Sequence, residues 1–376
     1  MSGQVRGALT AIVEGRTLTQ DEARLAMGEV MDGEATPSQL AALLMGLRMR
    51  GETVEELAGF ASAMRERVVR VEAPEGTIDI VGTGGDGSGT FNISTTAALV
   101  VAACGVPVAK HGNRAITSKS GSADVLDALG IRIDHDAESA GRAIRELGFA
   151  FMFAPAFHPA MRHAGPTRRE IGVRTAFNLL GPLTNPAGAR RGLIGVGDEA
   201  AAPRIAAVLR LLGTDRSLVV CGAGVDELPL DGTGVIYDVR PEGIERRTVD
   251  PEALGLRRAK TASLRGSDPA ANAALVQGVL HGEPSVRRDV VLLNAGAALV
   301  AAGVVETIEA GIDRAALTVD AGLAAELLSA LRAERRMADS ERAAAEVVAA
   351  KAAKAAARAT RAAGTARADG PGEATA

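Results

Sequence analysis

Between Gly82 and Thr95 the chain reads GTGGDGSGTFNIST. Glycines at 82, 84, 85, 87 and 89 leave the backbone bare, and Asn92, Ser94 and Thr95 follow where an apolar helix opens. Successive glycines let main-chain N–H groups turn inward as a nest, and a helix N-terminus adds its positive end, so the local physics favours an anion. Gly82, Gly84 and Gly87 satisfy the dinucleotide spacing. That fingerprint also needs an acid about twenty residues further on for a ribose hydroxyl, and no Asp or Glu lies between Asp86 and Asp124. A Walker-type loop needs a lysine where Thr90 stands. The alternative without a ligand is a tight strand-to-helix turn in which Ser and Thr merely cap.

A second cluster, KHGNRAITSKSGSADVLDALG, runs from Lys110 to Gly130. Again a β-rich run ends in a polar loop, and again a helix opens on small residues, Ser120, Gly121 and Ser122. Two neighbouring strand–loop–helix units bring two anion sites together at the carboxyl ends of parallel strands. A ligand with two separated phosphate groups suits that arrangement. Solvated surface charge is the plainer reading of Lys110 and Arg114. A polyphosphate commonly arrives with Mg²⁺ held by one or two carboxylates. The candidates are Asp86 in the first loop and the adjacent Asp226 and Glu227, which follow a predicted strand; adjacent loop acids are otherwise ordinary solvated residues.

The elements that must position these loops are legible as well. The first seventy residues read as four short helices. Three of them open on capping boxes, Thr19 with Glu22, Thr36 with Gln39 and Thr53 with Glu56. The second helix carries an apolar stripe of Leu25, Ala26, Val30 and Met31, so it must pack on something. After Pro74 short β runs alternate with helices: Thr77–Val81 then Thr95–Cys104, Val106–Ala109 then Ala123–Leu129, Ala150–Phe153, Leu193–Val196 then Ala201–Leu212, and Leu218–Cys221. Such alternation predicts an α/β domain with a largely parallel sheet. Val235–Val239 and Glu245–Val249 predict a hairpin. Residues 156–186 are helical with several breakers and could fold back onto the N-terminal helices, and about Ser267 to Ala333 is mostly helix.

We therefore expect a small all-helical domain, 1–73 joined by helices of about 156–186, a larger α/β domain, 74–335, and a tail, 338–376. The tail is rich in Ala, Lys and Arg, with Lys351, Lys354, Arg358 and Arg361 on one helical face, and is expected to be disordered or partly helical. The chain has 376 residues, 47% apolar and 2% aromatic, with a formal net charge of −4. Scarce aromatics and no global positive charge argue against nucleic acid. Cys104 and Cys221 sit in apolar or strand-like runs and read as buried small hydrophobes in a reducing compartment. No apolar run is long enough to span a bilayer, and the N-terminus lacks a signal-peptide pattern. A cytoplasmic protein with no membrane partner is the expectation.

The motifs GTGGDGSGTFNIST, KHGNRAITSKSGSADVLDALG, TRREIGVRTAFNLLGPLTNPAG and GVDELP, in this order and at these separations, resemble the anthranilate phosphoribosyltransferase family, over roughly residues 3 to 335. The first motif alone is shared with pyrimidine nucleoside phosphorylases of the same fold. The resemblance implies transfer of the phosphoribosyl group of 5-phosphoribosyl 1-diphosphate to the amine of anthranilate, in tryptophan biosynthesis. It implies substrates meeting at a hinge cleft between the two domains and a homodimer formed through the helical one. Carried over residue by residue, Gly82, Gly85, Asp86, Thr90, Asn92, Ile93, Ser94, Thr95, Lys110, His111, Gly112, Asn113, Arg114, Ala115, Ile116, Thr117, Ser118 and Ser122 would hold the phosphoribosyl diphosphate. Ser94, Asp226 and Glu227 would bind Mg²⁺, and Gly82, Asn113 and Arg168 would contact anthranilate. Without the resemblance Arg168 reads equally as a surface charge. No general base is assigned: His111 suits positioning or packing, and His158 and His163 either line an entry or fill space. The competing readings are a pyrimidine nucleoside phosphorylase without a metal and a non-enzymatic relative that binds nucleic acid through the basic tail.

Overall fold

The structure, a computed structural model, describes residues 3–115 and 119–368, with side chains as far as Lys351. Its first four helices are α1 (Gln4–Val13), α2 (Gln20–Met31), α3 (Pro37–Arg50) and α4 (Val54–Glu66). All three capping boxes form, each Thr accepting from the N–H three residues on while that residue's side chain accepts from the Thr N–H. Local sequence therefore sets the starts of α2, α3 and α4. The buried stripe of α2 is Ala23, Ala26, Met27, Val30 and Met31, whereas Leu25 is 42% exposed. The expected stripe was rotated: Leu25 lies off the i, i+3, i+4, i+7 face that meets α4.

Seven strands form one sheet in the order β3-β2-β1-β4-β5-β6-β7. They are β1 (Ile78–Gly82), β2 (Val108–Gly112), β3 (Phe149–Phe153), β4 (Arg191–Gly195), β5 (Arg216–Cys221), β6 (Gly234–Arg240) and β7 (Gly243–Val249). The first five are parallel, and the β6–β7 hairpin adds antiparallel to β5. Alternation along each strand feeds two cores. In β5, Leu218 and Val220 face one core while Val219 and Cys221 face the other.

Among the connecting helices are α5 (Ile93–Ala103), α6 (Ser122–Ala128) and α7 (Ala137–Leu147). No helix was expected at α7. The signal was present, since Asp136 accepts from Ser139 N at 2.8 Å and Gly148 closes the helix in the left-handed region. Short turns follow as α8 (Ala154–Phe157), α9 (Gly165–Ile171) and α10 (Phe177–Leu180), then α11 (Ala202–Leu211). Helices α12 (Pro269–Leu280), α13 (Val286–Ala302), α14 (Ile308–Asp320) and α15 (Leu323–Ala368) complete the chain.

The core on one side of the sheet joins α5, α6, α12, α13 and the start of α15 to β1, β4, β5 and β6. On the other side α1–α4, α9–α11 and β4–β6 share a second core, with Ala164, Phe177, Leu180 and Leu183 packed among the N-terminal helices. The architecture is thus a small N-terminal helical domain beside a larger α/β domain with a mostly parallel central sheet. Cys104 and Cys221 are buried and unpaired. The Ala-rich tail continues α15 as helix, exposed at every residue from 339 to 351. Among the described residues no helix is long and apolar enough to cross a membrane.

Candidate active site

The sheet order places β2 on one side of β1 and β4 on the other. A crevice opens outside the carboxyl ends of parallel strands where the strand order reverses. Here that point is the β1–β4 pair, closed by Thr83 N donating to Gly195 O at 2.8 Å. The loop from Gly82 to Asn92 starts at this point. Gly84, Gly85, Gly87 and Gly89 all have positive φ, between 63° and 73°, a region that L side chains rarely adopt. The loop therefore needs glycine at these four positions.

Asp226 reaches this loop from the turn after β5. Its Oδ2 accepts from Gly84 N at 2.7 Å, and a Cβ on Gly82 would collide with the same oxygen. Asp86, Asp226 and Glu227 bring one carboxylate oxygen each within 4.8 Å of one another. Asp86 Oδ2 and Glu227 Oε2 are buried without a hydrogen-bond partner. Burial, then repulsion from Asp86, pushes the carboxyl of Asp226 up, and burial and Asp226 push that of Glu227 up further. Three acids forced together with unused oxygens suit a hard divalent cation, which takes oxygen ligands. Asp86, read from the sequence as a Mg²⁺ candidate and, through the resemblance, as a contact of the phosphoribosyl diphosphate, lies in this acidic cluster. Ser94 stands half-buried at the second position of α5.

Asn92 precedes α5 but its side chain does not cap the helix. It donates to Ser120 O at 3.2 Å and accepts from Asn272 Nδ2 at 2.9 Å, tying the first loop to the second and to α12. Thr90 pairs with Arg265 across an isolated bridge, Ile93 and Thr95 are buried in the first turn of α5, and Gly85 is exposed.

The second loop is held by Asp124, whose carboxylate accepts from Ala115 N, Gly121 N and Arg114 Nη1 at 2.9, 2.9 and 2.8 Å. Arg114 is thus engaged by an acid of its own loop. Asn113 is exposed, and Ser122 Oγ donates to its carbonyl at 3.2 Å. Gly112 ends β2. Ile116, Thr117 and Ser118 lie outside the described residues.

Lys110, for which solvated surface charge was the plainer reading, lies buried within the sheet. It is 2% exposed and donates to Ile80 O at 2.5 Å. Burial pushes its ammonium down to about 8, against the opposing pull of Asp79 and Glu227. Asp79 is pushed up to about 6 by burial; it accepts from Asn185 Nδ2 at 2.7 Å and His111 N at 3.3 Å. Asp79 and Asn185 were not singled out in the sequence. Neither was Asn294 of α13, which fixes the acidic turn by accepting from Leu228 N and donating to Leu228 O.

His111 and His158 face each other with ring centroids 5.0 Å apart. Burial holds them neutral, near 3 and 4, and each leaves its Nε2 buried and unpartnered. His111 also meets Gly181 O, so β2 abuts the turn that follows α10. Arg168 on α9 lies over Phe177 with its guanidinium carbon 4.7 Å from the ring centroid, a cation–π contact. A separate cavity of about 330 Å³ lies elsewhere, among Leu218, Ile236, Arg247, Val249 and Ile308.

Comparison with known proteins accounts for both parts of the chain. Residues 6–68 match the helical bundle domain of a glycosyl transferase family, and residues 74–325 match its a/b domain. The chain is 51% identical over 320 residues to the anthranilate phosphoribosyltransferase of Rhodopseudomonas palustris (strain BisB5), covering 85% of this chain and 95% of that one. It is 52% identical over 335 residues to that of Chloroflexus aggregans, covering 88% and 98%. The crystal structure of the Thermus thermophilus enzyme of this name superposes with a TM-score of 0.83 at 46% identity, over 88% of this chain and 99% of that one. One from Saccharomyces cerevisiae, solved in complex with PRPP and Mg, shares the fold at 24% identity, with a TM-score of 0.82 over 90% and 99%. This chain belongs to the glycosyl transferase family with a helical bundle and an a/b domain, and within it to the anthranilate phosphoribosyltransferases.

Proposed function

We propose that the chain joins the amine of anthranilate to C1 of 5-phosphoribosyl 1-diphosphate, giving N-(5-phosphoribosyl)anthranilate and pyrophosphate. The observation that carries this reading is the crowding of Asp86, Asp226 and Glu227 against the glycine loop at the sheet's switch point.

Anthranilate is a weak nucleophile because its amine lone pair is delocalised into the ring. Rate is therefore gained chiefly by stabilising the leaving group. The N–H groups of Gly85, Asp86, Gly87 and Gly89 receive the diphosphate, together with Thr90 and the start of α5 from Asn92 to Thr95. The loop after β2, from Asn113 to Ser122, receives the other end of the sugar phosphate. Asp226 and Glu227, with the Ser94 hydroxyl, would hold Mg²⁺, and the unpartnered oxygens of the acidic cluster fit that ion. When bound, Mg²⁺ neutralises charge on the departing diphosphate.

Arg168 suits the anthranilate carboxylate because a guanidinium can form two parallel hydrogen bonds with it. Asn113 and Gly82 complete that contact. Holding the amine beside C1 replaces an encounter between free molecules with a positioned one. His111 and His158 are buried and neutral, and no general base is assigned.

The reading divides the chain into 1–73 with 156–186, 74–335 and 338–376. It includes a homodimer through the N-terminal helices, where Val13 and Met49 stand 86% and 85% exposed. It places the chain in the cytoplasm, where two free buried cysteines suit a reducing milieu.

The test is direct. Purified protein mixed with anthranilate, 5-phosphoribosyl 1-diphosphate and Mg²⁺ should consume anthranilate fluorescence, and omission of either the sugar or the metal should stop it. Phosphorolysis of thymidine or uridine without Mg²⁺, with anthranilate untouched, would overturn the reading.

A further inference from the structure

The glycine loop is pinned from two sides. On one side Gly84 N donates to Asp226 Oδ2 at 2.7 Å, and on the other Gly84 O accepts from Arg174 Nη1 at 2.6 Å. Arg174 comes from the stretch between α9 and α10, ninety residues away in sequence. Its guanidinium fills the space beside Gly85, where a Cβ would collide with Nη1. Gly85 also has φ +68°, so its lack of a side chain serves both the backbone and the arginine.

The contact links two parts of the site. Arg174 lies six residues beyond Arg168 and three before Phe177, the ring on which Arg168 rests. Its neighbour Thr175 is buried, with its main-chain N–H on Asn178 Oδ1 at 2.9 Å. The chain is thus anchored directly after Arg174, which is itself exposed, as are Gly172 and Val173 before it. A hydrogen bond from an ionised donor is roughly twice as strong as a neutral one. A guanidinium carries five N–H donors, and this bond uses one.

We propose that Arg174 is a positioning residue: it clamps the carbonyl of Gly84 so that the loop's N–H groups stay turned toward the diphosphate of the sugar donor. The inference rests on the reading of this loop as the diphosphate site. With the clamp gone, the Gly84 peptide is free to rotate. The nest loses its preset shape and the donor must order the loop on binding, which weakens binding. The contacts of anthranilate with Arg168 and Asn113 are left in place.

The test uses the full chain. In the ligand-free protein, Arg174→Ala should speed hydrogen exchange of amides in the 83–89 stretch severalfold, without change in the amides of β1 or α5. In steady state the same variant should raise the KM for 5-phosphoribosyl 1-diphosphate about tenfold, while the KM for anthranilate stays within about twofold. Arg174→Lys, which keeps the charge and one donor, should recover part of the loss. The effects of Gly85→Ala and Arg174→Ala should be less than additive, because the first displaces the side chain that the second removes. Unchanged exchange in 83–89, or equal rises in both KM values, would overturn the clamp. Failure of the wild-type chain to bind the donor would instead overturn the diphosphate reading, which calorimetry on the wild type measures separately.

Discussion

At the scale of single residues, Asp226 and Glu227 carry the strongest electrostatic statement. Burial and repulsion raise both carboxyls above their ordinary range. The folded protein therefore holds protons that the unfolded chain has released. That contribution to stability is fully present below the ordinary carboxyl range, near about 4, and is lost as pH rises through the raised values. A divalent cation binds the ionised form, so it offsets this loss only where the pair is charged. Mg²⁺ at about ten times its dissociation constant should raise the thermal midpoint by about 2 °C at pH 8 and by far less at pH 5. Asp226→Asn with Glu227→Gln should abolish the rise. An equal rise at both pH values, or one that survives the double substitution, would remove the metal assignment.

At the scale of elements, α15 separates what holds the fold from what does not. Its first turns are anchored: Arg332 donates to Leu129 O at 2.6 Å, Arg335 pairs with Asp127 at 2.8 Å and Glu334 with Arg132 at 3.1 Å. Beyond Ser340 the contact left among the described residues is Arg342 with Asp134, two half-exposed side chains 2.5 Å apart, and such exposed pairs contribute little to stability. A chain ending at Ser340 should keep kcat and both KM values within about twofold and lose under about 1 kcal/mol in urea unfolding. A folded but inactive truncation would show that the tail serves the reaction. What could be read from sequence follows the same division by distance along the chain. Capping boxes are local, so Thr19, Thr36 and Thr53 announced three helices correctly. Every strand of the sheet was found, but β2 was cut at Ala109 because Lys110 and His111 look like loop residues. They are strand residues because Asp79 and Ile80 O on the neighbouring strand satisfy them. Arg174, Asn185 and Asn294 gave no signal of their own, since each acts on a partner 66 to 106 residues distant.

At the scale of the whole molecule, the sheet order does the assembling. Placing β4 beside β1 carries the turn after β5 to the glycine loop, and placing β2 on the other side carries the second loop to Asn92. The glycine loop, the second loop and the acidic cluster thus meet at one rim. From the sequence the two loops were legible as a pair, while the convergence of Asp86 with Asp226 and Glu227 needed the topology. The most direct measurement is a crystal structure grown with 5-phosphoribosyl 1-diphosphate and Mg²⁺. The account predicts the diphosphate against the N–H groups of the Gly85–Gly89 stretch, the cation on Asp226 and Glu227, and the sugar's 5-phosphate against the second loop. Both loops empty, with those two carboxylates bearing no ion while the sugar binds elsewhere, would contradict it.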